Sequence, residues 1–267
     1  MIEYILSLIL GLLIGSFINC VVYRVYNNKS FLKGRSECPK CEHELGLLDL
    51  IPIFSYLSLK GKCRYCGKSI SKQYLIVEIA TGLIFLLIAF LLNASFLTQG
   101  IFNLEFLNLI FYFLIASYFI MIFIFDFKWF IIPDGLTFSA IIITLIYLFV
   151  GTFALGMFTE AELLTRVITA FVVFLFFFAL YFFSEGKAMG FGDVKLVIFL
   201  GLLLGFPIIL PALFIAFGTG AIIGLVAMAF KKRGMKSEIP FGPFLVLGTF
   251  VSLFFGSFFV NWYLSLM

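Results

Sequence analysis

Residues 106–125 read FLNLIFYFLIASYFIMIFIF, twenty residues without a charge, and residues 126–128, DFK, close the run. At 1.5 Å per residue such a run makes a helix of about 30 Å, the thickness of a bilayer's hydrocarbon core. Its apolar residues do not alternate with polar ones, as barrel strands require. The stretch therefore predicts a membrane-crossing helix with Asp126 at its end.

The same pattern recurs on both sides. Polar interruptions divide the chain of 267 residues into eight candidate spans: Ile2 to Val25, Tyr74 to Leu92, Phe106 to Phe125, Gly135 to Val150, Leu163 to Phe183, Val194 to Gly205, Pro207 to Phe230, and Pro240 to Leu264. The sixth has only 12 residues, the length of a re-entrant or buried helix. The whole chain is 63% hydrophobic and 12% charged, with a mean hydropathy of +1.19. An ordinary soluble domain is about 25% charged, so this composition excludes a soluble enzyme. The fold class it predicts is an all-α polytopic membrane protein with about eight transmembrane helices. The first span lacks a basic n-region and a small-residue cleavage site, and is read as a retained helix.

Three pieces follow along the chain: a first transmembrane helix at 1–25, a polar insertion at 26–73, and a helical bundle at 74–267. Charge orients them. If the insertion is cytoplasmic and eight spans alternate, every one of the 18 Lys and Arg residues except Arg166 falls on the cytoplasmic side. The positive-inside rule then puts the insertion in the cytoplasm and both termini outside. The net charge of +4 needs no nucleic-acid partner, since a basic rim facing anionic membrane lipid accounts for it.

The insertion carries Cys38-Pro39-Lys40-Cys41 and Cys63-Arg64-Tyr65-Cys66, two CxxC pairs separated by 21 residues. Two such turns present four thiolates tetrahedrally to one structural Zn²⁺. Disulfides are disfavoured in a reducing compartment, and no βαβ pattern supports a thioredoxin-like motif. Metal binding would supply much of the folding free energy of so small a piece. Cys20 lies inside the first span and reads as a small buried hydrophobe. His43 is the only histidine. No GxSxG elbow accompanies it, so serine-hydrolase chemistry is not indicated.

Ionisable groups in apolar spans are costly, which makes each a functional candidate. Glu78, Asp126, Asp134 and Asp193 all border or enter apolar blocks. Asp193 ends Gly190-Phe191-Gly192-Asp193, and the charge-based topology brings Asp126 and Asp193 to the same side of the bilayer. Two neighbouring carboxylates that share a proton perform aspartic-protease chemistry without histidine or metal. Asp134 follows Pro133 and reads as a helix cap, Asp193 admits the same reading, and Asp126 opposes the dipole of the helix it ends. Membrane carboxylates also serve proton or cation transporters, and a non-catalytic zinc-ribbon scaffold is a third class. Glu78 reads as a functional residue or as a partner for a basic residue of the insertion, while Asn19 and Arg24 either organise the substrate or cofactor site or serve as an interhelical hydrogen bonder and a snorkelling anchor.

Taken in order, these residues resemble a known family. They are Gly15-Ser16-Phe17-Ile18-Asn19-Cys20 with Arg24, both CxxC pairs, Asp49-Leu50-Ile51-Pro52, Ser55-Tyr56-Leu57, Gly61-Lys62-Cys63-Arg64 and Ile70-Ser71. Tyr74, Glu78, Thr81-Gly82, Asp126 with Ile132-Pro133-Asp134, the GxGD motif with Lys195, and Ile239-Pro240-Phe241-Gly242-Pro243-Phe244 complete the set. The chain is similar over nearly its whole length to the bacterial type IV prepilin leader peptidases, which are GxGD-type intramembrane aspartic peptidases. The resemblance implies a bifunctional enzyme of the bacterial inner membrane. Such an enzyme cuts the leader from prepilins or pseudopilins at the cytoplasmic face and methylates the new N-terminal residue with S-adenosylmethionine. The family's catalytic pair corresponds to Asp126 and Asp193, and its two CxxC pairs to Cys38, Cys41, Cys63 and Cys66. No Gly-rich nucleotide fingerprint follows a predicted strand, so spacing assigns no contact to S-adenosylmethionine. The arginine and valine that end the first span are followed here by Tyr26-Asn27-Asn28 in place of the family's usual proline.

Overall fold

A computed structural model describes residues 2–30, 34–94, 104–187, 189–229 and 239–266. Lys33, Lys231, Lys232, Arg233 and Lys236 of the basic face, and Phe230 at the end of the seventh span, lie outside them. The long apolar runs are helices: α1 (Ile2–Tyr26), α3 (Lys72–Leu91), α4 (Leu104–Trp129), α5 (Asp134–Phe153), α6 (Glu160–Phe183), α7 (Phe191–Leu204), α8 (Ile209–Ala229) and α9 (Gly242–Leu264). A single helical turn, α2 (Phe54–Ser58), lies in the cysteine segment. All the long helices except α7 have the length and composition to cross a membrane, seven in all. The described residues contain no β-strand beyond two isolated bridges. The protein is a multi-pass, all-α membrane protein.

The chain forms two compact units, Met1–Met121 and Ile122–Met267. In the first, α1 lies directly on α3. A Cβ on Gly11 would sit 2.7 Å from the Thr81 carbonyl oxygen, and one on Gly15 would sit 2.8 Å from the Glu78 Cα. The two glycines form a GxxxG pair, the spacing that lets membrane helices approach at the backbone. Asn19 Nδ2 donates to the Tyr74 carbonyl at 3.1 Å, the interhelical bond its position suggested. Phe85 of α3 stacks on Phe113 of α4 with centroids 4.1 Å apart.

In the second unit α7 is the buried centre, packed against α5 and α6. Leu196, Val197, Phe199 and Leu200 have no exposed surface. Its 14 residues reach only about 21 Å, short of the hydrocarbon core. The helix nevertheless returns the chain along α6. Phe191 at its start rests on Tyr181 near the end of α6, with centroids 5.3 Å apart. Arg166 near the start of α6 donates to the Leu202 and Leu203 carbonyls at the other end of α7. A guanidinium there satisfies carbonyls that a helix end leaves open and complements its negative pole. Burial among neighbours, rather than contact with lipid, explains how so short a helix is tolerated at this depth.

Candidate active site and cysteine cluster

The two cysteine pairs fold as two copies of one turn. Cys38 N–H donates to the His43 carbonyl at 3.0 Å and Glu42 N–H to the Cys38 carbonyl at 2.9 Å. The second turn repeats this in register, with Cys63 to Lys68 at 2.9 Å and Gly67 to Cys63 at 2.9 Å. Each turn needs a left-handed residue four positions after its first cysteine: Gly67 at φ 68° and Glu42 at φ 57°. Together they bring the four sulfurs within 4.8 Å of one another. A tetrahedral zinc with Zn–S near 2.3 Å separates its sulfurs by about 3.8 Å, so the quartet fits that ion.

Electrostatics points the same way. Burial raises the Cys63 thiol, but N–H groups of Cys66 and Tyr65 and the sulfurs of Cys38 and Cys66 outweigh it and bring Cys63 to about 7. An N–H from His43 favours the Cys41 thiolate, yet burial and the adjoining Cys66 and Cys38 sulfurs push it up to about 11. Four sulfurs this close do not all carry negative charge unaided; a dication removes that obstacle and displaces the protons. His43 stays outside the quartet and stacks on Tyr65 at 3.7 Å.

In the second unit, four segments converge. Asp126 ends α4, Ile132-Pro133-Asp134 lead into α5, Gly190-Phe191-Gly192-Asp193 open α7, and Phe241-Gly242 open α9. Asp126 and Asp193 are both buried, at 6% and 7% exposure, and the field of the Asp126 carboxylate acts on Asp193. A side chain at Gly192 would meet Ile132, its Cβ 3.1 Å from that of Ile132. Gly190 is the N-cap of α7 and Asp193 its third residue. The backbone N–H of Gly190 acts on the Asp193 carboxylate. Asp193 Oδ1 has no hydrogen-bond partner among the described residues.

Asp134 behaves differently from its expected role as a cap. Pro133 is the N-cap of α5 and gives no side-chain cap bond. The Asp134 carboxylate instead meets Lys195 Nζ from α7. A cation two residues beyond Asp193 is a stronger partner than a backbone amide at an exposed helix start.

Sequence reasoning missed the group that holds Asp126. Gly242 N–H donates to Asp126 Oδ2 at 2.8 Å in a buried bond. Phe241-Gly242-Pro243 reads as helix entry, and entry is what leaves the first amides of α9 free to donate. Glu78 also departs from expectation. In place of a basic residue, its carboxylate accepts from the Ile53 N–H at 2.8 Å and from Ser16. Arg24 does not snorkel but is 6% exposed, with its guanidinium on the carbonyls of Ser30 and Arg35.

Comparison with known proteins divides along the same chain. Residues 9–92 match the family described as Bacterial Peptidase A24 N-terminal domain, and residues 112–225 match the Type IV leader peptidase family. A prepilin leader peptidase/N-methyltransferase of Aeromonas salmonicida is 30% identical over 97% of this chain and 93% of its own length. Proteins of the same name from Vibrio cholerae and Pectobacterium carotovorum are 32% and 29% identical. They align with 94% and 90% of this chain and with 96% and 88% of their own. No solved structure matches the chain.

Proposed function

Since the chain belongs to the type IV leader peptidase family and is a peptidase with methyltransferase activity, we propose that Asp126 and Asp193 cleave type IV prepilins or pseudopilins. The observation that carries this is the convergence of the two buried carboxylates, one held by Gly242 and the other with a free oxygen.

The pair works with one proton between them. The ionised carboxylate takes a proton from water as the water oxygen attacks the scissile carbonyl carbon, while the protonated one donates to the carbonyl oxygen. Collapse of the tetrahedral diol breaks the C–N bond, and a carboxyl proton passes to the leaving amine. That amine is the new N-terminus. S-adenosylmethionine supplies a methyl carbon on a cationic sulfur. When bound, it would supply that methyl group to the amine nitrogen, which would give up an N–H proton to water.

The substrate's apolar helix sits in the bilayer with its leader in the cytoplasm, and the basic rim supports a cytoplasmic placement of both the aspartates and residues 26–73 in a bacterial inner membrane. Cys38, Cys41, Cys63 and Cys66 hold a structural zinc. The test is to incubate the purified protein with a prepilin and methyl-labelled S-adenosylmethionine and to read leader loss and methyl gain by mass spectrometry. Asp126→Asn and Asp193→Asn should each abolish cleavage. Normal cleavage in either variant defeats the assignment, and ion flux in liposomes without proteolysis favours the transporter class.

A further inference from the structure

The insertion between α1 and α3 is polar at its ends and apolar in its middle. Residues 45–59, LGLLDLIPIFSYLSL, hold one charge, Asp49. They fold as a 3₁₀ turn, Leu47–Asp49, followed by α2. Leu50, Ser55, Tyr56 and Leu59 turn inward, toward α1 and α3. The other face is apolar and uncovered among the described residues: Leu47 is 88% exposed, Leu48, Phe54 and Leu57 are each 60% or more, and Ile51 is exposed beside them. A segment surrounded by water places polar groups at such positions, and an exposed apolar patch rimmed by polar residues marks an interaction surface.

Depth along the two helices identifies what covers this face. The Ile53 N–H donates to Glu78 Oε2 at 2.8 Å, and the same carboxylate accepts from Ser16. Glu78 lies six residues into α3 from Lys72, about 9 Å, and Ser16 lies ten residues, about 15 Å, before the end of α1 at Tyr26. The start of α2 is therefore level with the outer turns of two membrane-crossing helices, not with their ends. Ile53 makes its bond at φ 64°, a conformation that a β-branched residue adopts only as an outlier. The fold thus holds the segment at this depth against its local backbone preference. Charge complements the apolar face. From residue 50 to residue 77 the chain has no acid and five cations, Lys60, Lys62, Arg64, Lys68 and Lys72, all of them exposed.

We propose that Leu47, Leu48, Ile51, Phe54 and Leu57 dock into the membrane that α1 and α3 cross, at the boundary of headgroups and acyl chains, with anionic headgroups held by the cations of residues 60–72. The partner is the bilayer itself. Interfacial segments of this kind bury their apolar side chains about 5–10 Å deep, and a basic flank adds attraction to anionic lipid. The long Lys and Arg side chains keep their stems on apolar surface while their charges reach the phosphates. The cysteine turn at 63–66 follows directly on α2, so docking fixes the metal quartet at the membrane surface. The inference is independent of the two-aspartate reading and requires only that α1 and α3 span the bilayer.

The experiment uses the purified full chain in nanodiscs of phosphatidylethanolamine and phosphatidylglycerol, with diazirine-bearing phospholipids as probes and peptide mass spectrometry as the readout. Acyl-chain diazirines should label residues 41–60 as well as α1, whose labelling is the internal control. A headgroup diazirine on phosphatidylglycerol should label residues 61–72 at least about threefold more than the same group on phosphatidylcholine. In Phe54→Trp, the added emission, taken as the difference from wild type, should be quenched by brominated lipid and spared by aqueous iodide. Unlabelled residues 41–60 beside a labelled α1, or Phe54→Trp emission open to iodide, overturns the docking. Equal labelling by the two headgroups overturns the anionic partner. Cross-linking of residues 47–57 to an added prepilin or to a second copy of the chain, without lipid label, makes the patch a protein contact and overturns the proposal as well.

Discussion

The backbone N–H of Gly242 donates to Asp126 Oδ2 at 2.8 Å across 116 residues of sequence. The contact leaves no room for a side chain, since a Cβ at residue 242 would lie 2.6 Å from the same oxygen. Gly242→Ala should therefore displace the Asp126 carboxylate without disturbing the apolar runs that insert the protein. A misplacement of about 1 Å at a reacting group costs on the order of 100-fold in rate. Leader cleavage should fall by about that factor at unchanged membrane abundance, measured by the mass shift of a prepilin and by immunoblot. Wild-type cleavage by this variant would remove Gly242 from the site.

The ion pair of Lys195 with Asp134 ties the start of α7 to the start of α5. Neither residue is placed at the reacting atoms, so both act through the position of Asp193. Lys195→Ala and Asp134→Ala should each lower cleavage by about 3- to 10-fold, below the loss at either member of the proposed pair. If the pair is what matters, the double variant should be no worse than the weaker single one, a coupling that a double-mutant cycle of cleavage rates detects. Strictly additive losses would show that each residue acts alone.

The long helices were legible from unbroken apolar runs, the cysteine quartet from its two CxxC turns, and the four candidate acids from charges placed where the membrane makes them costly. The partners of those acids were not. Gly242 has no side chain to advertise a role, and its amide reaches Asp126 only because α9 begins beside the end of α4. Asp134 carries a good capping signature, and a local rule has no view of a lysine 61 residues away. The Glu78 bond to Ile53 fails for the same reason: a backbone donor has no residue-type signal. Gly11 and Gly15 could have been found, because GxxxG spacing inside an apolar run is a local pattern with a packing consequence. Periodicity and spacing report what a segment does by itself, and the site is made where segments meet.

The paired cysteine turns carry different residues at their left-handed position, Gly67 in one and Glu42 in the other. The left-handed conformation costs a residue with a Cβ roughly 1–2 kcal/mol. Gly67→Ala, which would meet nothing within 4 Å, should destabilise the cysteine segment by about 1 kcal/mol through the backbone alone. Glu42→Gly should move stability the opposite way by a similar amount, because glycine's freedom in the unfolded chain offsets the backbone term by about 0.4–1 kcal/mol in both exchanges. Zinc retention against a graded chelator reads both. Equal and same-sign effects would contradict the backbone account.

Asp49 joins the 3₁₀ turn at Leu47–Asp49 to the second cysteine turn. Its carboxylate accepts from Arg64 Nε at 2.7 Å, Tyr65 Oη at 3.1 Å and Gly46 N–H at 3.2 Å. Burial pushes this carboxyl up, but those three donors outweigh it and hold it below the usual aspartate range. A folded value below the unfolded one means that the stabilisation is present in full above about pH 3.9 and is lost as pH falls through the folded value. At neutral pH, Asp49→Ala should thus remove it all. Arg64 is about half exposed and regains water when its partner goes, so the expected loss is modest, about 1 kcal/mol. Because Arg64 and Tyr65 lie between Cys63 and Cys66, that loss should appear as roughly fivefold faster zinc extraction by a chelator at pH 7. An extraction rate equal to wild type would mean that the Asp49 network does not support the cysteine turn.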